Sequence, residues 1–99
     1  MILTTAGSRE EADGLARTLV SSRLAACVQV TPISSTYMWK EELRTEPEFL
    51  LLIKTQAGRY DEIQTAILHD HSYEVPEIVQ LPIERGFDRY LGWISANTE

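Results

Sequence analysis

The chain has 99 residues, the length of one domain, and its 43% hydrophobic content argues against a disordered protein. The net charge is −6 and the nine Lys and Arg residues are scattered singly, which argues against nucleic acid as a partner, because phosphate binding needs clustered cationic side chains. The single cysteine, Cys27, rules out an internal disulfide framework and suits a reducing compartment.

The opening residues Met1-Ile2-Leu3-Thr4-Thr5 lack the basic segment and long apolar stretch of a secretory signal. The apolar run Phe49 to Ile53 is far too short to span a bilayer. The expectation is one soluble, cytoplasmic domain over 1–99, with neither membrane nor nucleic acid as partner. A chain this small leaves much of its surface exposed and gains from an oligomeric partner.

Taken in chain order, the pattern opens with a strand over Met1 to Thr5, broken by Ala6-Gly7. Ser8 with Glu11 three residues later reads as a capping box. The helix behind it carries Ala12, Leu15, Ala16, Leu19 and Val20 as one apolar stripe and should end near Ser22-Arg23. From Leu24 the period becomes two: Leu24, Ala26, Val28 and Val30 point one way. Beyond Thr31-Pro32, Ile33, Ser35, Tyr37 and Trp39 share a face, so a long strand Leu24–Trp39 with a bulge or bend at Pro32 is expected.

Lys40-Glu41-Glu42 is a polar turn, and a second long strand follows over Glu46–Thr55. Its centre, Phe49-Leu50-Leu51-Leu52-Ile53, is apolar on both faces, whereas a two-layer domain would show alternation. The helices of one chain are too few to cover both faces, so a neighbouring subunit is the expected cover. A helix from Arg59 to Asp70 turns Tyr60, Ile63, Ala66 and Ile67 inward, then comes a strand from Glu77 to Glu84, and Asp88 caps a last helix with Tyr90, Leu91, Trp93 and Ile94. The order is βαββαβ with an extra C-terminal helix, an α+β class with the ferredoxin-like pattern and an antiparallel sheet.

The segments Arg23-Leu24-Ala25-Ala26-Cys27-Val28, Tyr37-Met38-Trp39 and His71-Ser72-Tyr73-Glu74-Val75-Pro76-Glu77 together resemble the CutA family. The likeness continues through Leu81-Pro82-Ile83, Gly86 and Tyr90-Leu91-Gly92-Trp93, and so covers essentially the whole chain in order. It implies a trimeric ferredoxin-like fold whose long strands pair between subunits, a part in tolerance of divalent metals, notably copper, and no enzymatic activity. The family is also similar in fold and assembly to nitrogen-regulatory signal proteins, which is analogy only. Three positions depart from its pattern: Glu41 stands near a usual glycine, Ser72 where proline commonly follows the histidine, and Thr4 where some members have cysteine.

For chemistry, His71 lies just past a helix with Glu74 and Glu77 nearby, and imidazole with carboxylate help is a candidate site for weak Cu(II) binding. Set against that is an ordinary exposed histidine. His69 is two positions away, a spacing that shares no helix face, although in a turn the pair could converge. Cys27 reads as a core residue or, alternatively, a thiolate ligand for copper. Tyr37, Trp39 and Tyr73 read as interface packing or as the lining of a cleft between subunits. Lys54 is either a strand-end lysine or a partner for Glu48 or Glu77 in that cleft. No nucleophile sits beside a base in sequence, and the isolated glycines make no phosphate loop. The expected function is therefore a homotrimeric divalent-cation tolerance protein that needs no obligatory cofactor. The alternative is a trimeric signalling or adaptor module that binds a small molecule or a partner protein.

Overall fold

The computed structural model describes residues 1–99. Its elements are β1 (Ile2–Ala6), α1 (Arg9–Ser21), β2 (Cys27–Trp39), β3 (Glu42–Lys54), α2 (Tyr60–Asp70), β4 (Ile78–Gln80) and α3 (Asp88–Ala96), with a short 3₁₀ turn at Ala57–Arg59. The four strands form one sheet in the order β2-β3-β1-β4, and every pairing is antiparallel. The fold is α+β, as the residue pattern predicts.

The core lies between the helices and one face of the sheet. Ile2 and Val28 both pair with Ile53, and Thr4 and Val30 both pair with Leu51, so these side chains stand on one face. Against them pack Ala12, Leu15 and Leu19 of α1 and Ile63 and Ile67 of α2. Val20, expected in the α1 stripe, is instead 41% exposed. The opposite rows, Leu3–Leu52–Gln29 and Thr5–Leu50–Thr31, face away from that core. Leu50 and Leu52 stay only half-buried there.

Several boundaries differ from the sequence pattern, each for a hydrogen-bonding reason. β2 starts at Cys27, not Leu24, because the amides of Leu24 and Ala25 both donate to the Leu19 carbonyl at 3.0 Å and close α1. Arg23 takes the left-handed conformation of that helix end, φ 64°. β3 starts at Glu42, not Glu46, because Trp39 pairs directly with Glu42 across a two-residue turn. Both turn residues, Lys40 (φ 50°) and Glu41 (φ 66°), have positive φ, the geometry of a type I′ hairpin, in which glycine is usual. β4 is short: Leu81 still exchanges hydrogen bonds with Met1, and Pro82 then has no N–H to continue.

The bulge expected at Pro32 is absent. β2 and β3 pair without a break from Cys27↔Lys54 to Trp39↔Glu42. Proline fits because alternate antiparallel pairs exchange no hydrogen bonds. Counting by twos from the bonded Trp39↔Glu42 pair puts Pro32↔Phe49 and Ser34↔Pro47 among the unbonded ones. The change of apolar parity at Pro32 is therefore a change in which face of the sheet carries apolar side chains.

β1 ends at Ala6, opposite Phe49, while β2 and β3 run on to their turn. Residues 33–48 thus project as a two-stranded arm from a molecule measuring 45 × 26 × 21 Å. At the far end, α3 is tied down from several sides. Arg23 Nη2 donates to the Ala96 carbonyl at 3.0 Å, and Arg59 Nε to the Thr98 carbonyl at 2.8 Å.

Candidate functional site

The base of the arm meets the loop that follows α2, and the meeting is built on His71. Its backbone amide caps α2 by donating to the Ile67 carbonyl at 2.9 Å, and its side chain is 1% exposed. The ring points back at β1, with Nε2 2.6 Å from the Thr5 carbonyl oxygen. The Tyr73 amide donates to Nδ1 at 3.0 Å. A carbonyl only accepts and an amide N–H only donates, so Nε2 carries the proton and Nδ1 is the bare nitrogen. Both ring nitrogens are thereby engaged.

This clasp sets the course of the loop. The Tyr73 ring lies 4.8 Å from the His71 ring, and its hydroxyl donates to Glu48 Oε2 at 2.7 Å. Burial, reinforced by the Glu48 hydrogen bond and charge, pushes the Tyr73 phenol far above its ordinary value. Gly7 makes room for the ring: a Cβ there would stand 3.0 Å from the Tyr73 hydroxyl oxygen and 3.3 Å from its ring.

Glu11 holds the loop from the other side. Its carboxylate accepts from the Ser72 amide at 2.8 Å, the Ser72 hydroxyl at 3.1 Å and the Gly7 amide at 3.3 Å. Burial alone would raise this carboxyl, but the Ser72 and Gly7 hydrogen bonds and the nearby His71 outweigh it and leave it below its ordinary value. The capping box is thus only half as expected. Ser8 Oγ accepts from the Glu11 amide at 3.1 Å, while the Glu11 side chain serves Gly7 and Ser72.

In front of the clasp opens a cleft of about 650 Å³. Tyr37, Trp39 and Arg44 line it from the arm, Glu48 from its base, and Tyr73, Glu74 and Glu77 from the loop. The fold therefore brings together Tyr37, Trp39 and Tyr73, and places Glu74 and Glu77 beside them. Four other expectations do not meet there. His71 is behind the cleft wall. His69 is 83% exposed and bonds Asp70 Oδ1 at 2.8 Å, so the two histidines diverge. Lys54 is six residues along β3 from Glu48, about 20 Å at strand rise, and its Nζ lies 5.9 Å from the Tyr90 ring instead. Cys27 is half-buried at the start of β2, outside the main core cluster.

No group of three or more His, Cys, Asp or Glu side chains converges to hold a metal ion within the chain. The donors present do not fit a metal cage: the one buried imidazole is spent on Thr5 and Tyr73, and Glu74 and Glu77 are exposed. Sequence reasoning missed Glu11 and Ser72 as the loop's anchor and Arg44 as a lining residue. It also missed that Glu48 is the buried acid of the cleft. A lone Glu48 abutting an apolar strand, and a glycine directly after β1, were the available signals.

Comparison with known proteins identifies the family. The divalent-cation tolerance protein CutA of Thermus thermophilus is 41% identical over 99 residues, covering 99% of this chain and 96% of that protein. The Archaeoglobus fulgidus protein of the same name is 38% identical over 98 residues, with the same coverage. Its structure, described as a periplasmic divalent cation tolerance protein, superposes with a TM-score of 0.97 over 99% of this chain and 96% of that one. A structure of a PII-like protein CutA from Nostoc sp. PCC 7120, in apo form, is 29% identical with a TM-score of 0.92 over 99% and 95% of the two chains. The profile of the CutA1 divalent ion tolerance protein family matches residues 1–97, and the chain belongs to that family.

Proposed function

We propose that this chain is a homotrimeric, cytoplasmic, non-enzymatic binding protein of ferredoxin-like topology. Its contribution to divalent-cation tolerance runs through a small molecule held in the cleft at the base of the arm. The observation that carries this reading is the cleft itself: about 650 Å³, walled by Tyr37 and Trp39 on one side and by a clasped loop on the other. The likeness to a structure described as PII-like supports a carrier or signalling role in the same direction.

Trimer formation is supported by what one chain leaves uncovered. Leu50 and Leu52 lie half-buried on the face away from the core, and Phe87 and Leu43 are 72% and 74% exposed. A two-stranded arm is marginal in water without a neighbour. In a trimer the arm and loop of one subunit would face another subunit, which would close the cleft's open side.

The second reading is direct capture of Cu(II) by His71 with Glu74 or Glu77, and the family's association with divalent ions favours it. It requires His71 to surrender either the Tyr73 amide or the Thr5 carbonyl, so binding there would be weak and would loosen the loop. Native mass spectrometry of the protein with copper and with metabolite mixtures separates the two. One organic molecule per subunit, lost in Trp39→Ala while the trimer mass persists, is the expected result. One copper per subunit, lost in His71→Ala and with no organic ligand, would overturn the cleft reading.

A further inference from the structure

The chemistry of the cleft lining points to a class of ligand, an inference that rests on the cleft reading above. Glu48 is only 7% exposed. One of its oxygens, Oε2, accepts from the Tyr73 hydroxyl at 2.7 Å, and the other has no hydrogen-bond partner within the chain. Glu48 takes part in none of the ion pairs of the molecule. The carboxylate is mostly buried, with one neutral donor and no counter-charge, and its free oxygen stays accessible at the cleft, where a cation would supply the missing charge.

The rest of the lining has the same sign. Glu74 and Glu77 add two carboxylates, and the only cationic side chain is Arg44, whose Nη2 is already 3.4 Å from Glu42. An anionic ligand would meet three acids and one occupied guanidinium. Three of the twelve lining residues, Tyr37, Trp39 and Tyr73, are aromatic, and ring faces attract ammonium and guanidinium groups that come within about 6 Å of the centroid. Trp39 already shows this behaviour, with Lys40 Nζ 5.8 Å from its ring centroid. A bare divalent ion gains little from such walls, because it needs several oxygen or nitrogen ligands converging on one point.

We propose that the cleft binds a small organic cation, a primary ammonium or guanidinium on a short carbon body. Its N–H groups donate to the free oxygen of Glu48, and its body packs against Tyr37, Trp39 and Tyr73. The charge-assisted hydrogen bond supplies specificity, and the aromatic walls exclude water from it.

Calorimetric titration of the intact protein with four-carbon probes tests this. The probes are putrescine, a dication; 1,4-butanediol, its uncharged counterpart; and succinate, a dianion. Putrescine should bind saturably, one per subunit, and the other two should not. Glu48→Gln keeps an oxygen that accepts from Tyr73 and removes the charge, so it should weaken putrescine at least about tenfold. Glu10→Gln, on the exposed side of α1, removes the same charge from the surface and should leave binding unchanged. Circular dichroism of both variants controls for folding. Binding weakened equally by both substitutions would reduce the effect to net charge and overturn the proposal. Binding of butanediol or succinate that is indifferent to Glu48→Gln would overturn the cation class while leaving the cleft as a ligand site. Absence of binding by all three probes would also overturn the cation class.

Discussion

The inner half of the sheet and the arm are made from the same two strands, yet they are held by different means. In the inner half, Leu51 and Ile53 are fully buried against α1 and α2, and removal of apolar surface from water does the holding. The arm has only strand pairing and, at its base, the loop that follows α2, and the groups that meet there are polar: Glu48 of the arm and Tyr73 and His71 of the loop, linked by hydrogen bonds. The cleft thus opens at the part of this fold that lacks a hydrophobic core of its own.

The largest expected effect separates the two faces of β3. Leu51→Ala should cost about 2–5 kcal/mol in denaturant unfolding, because it leaves a cavity in the core. Leu52, on the other face, is half-buried in one chain. If a second subunit covers it, Leu52→Ala will weaken assembly, so that light scattering shows dissociation on dilution at a concentration where the parent stays assembled. Dissociation no easier than the parent's would mean that this face is not part of the subunit interface.

Next in size is Gly7→Ala. The added methyl group meets the Tyr73 hydroxyl at 3.0 Å, so the ring, held by its bond to Glu48, must give by a few tenths of an ångström. About 1–3 kcal/mol of stability should be lost. Exchange protection should fall at the Tyr73 amide before it falls in the core strands, and simultaneous loss in both would show that loop and core are one cooperative unit.

The third effect is a pH dependence. The Glu11 carboxyl lies below its ordinary value of 4.5 in the folded protein, so the unfolded chain binds the proton more readily. Its contribution is fully present above that ordinary value and is lost as pH falls through the lower, folded one. Glu11→Gln should therefore cost about 1–2 kcal/mol near neutrality and progressively less in acid. Parallel stability curves for variant and parent from pH 7 to 3 would refute the assignment.

The smallest effect concerns the arm's tip. Glu41→Gly relieves a non-glycine residue at φ 66°, and should raise stability by about 0.5–1 kcal/mol in thermal unfolding. A loss instead would mean that the Glu41 side chain makes contacts outside the isolated chain.

Sequence reading was strong where periodicity reports packing. The order of strands and helices, the inward residues of α2 and the existence of two long strands all follow from which positions are apolar. It was weaker where hydrogen bonds decide. Leu24 and Ala25 alternate like strand residues but are used to end α1, and Pro32 looks like a break but occupies an unbonded pair. In the site, Tyr37, Trp39 and Tyr73 were legible as aromatics left over from the core. The burial of His71 was not, because it depends on Thr5, 66 residues away in the chain. Nor was the reach of Glu11 to Ser72, 61 residues away.

Two prolines, Pro32 at the foot of the arm and Pro47 within it, have a consequence for solubility. β2 is an edge strand, and past Ala6 the far side of β3 is also an edge, so both long sides of the arm offer unpaired backbone. Each side carries one proline, Pro32 on β2 and Pro47 on β3, at positions whose backbone nitrogen points outward. A strand adding to either side finds a missing donor partway along and cannot run its ladder through. Short, finite pairings with another subunit survive that interruption, while indefinite stacking of copies into fibrils does not.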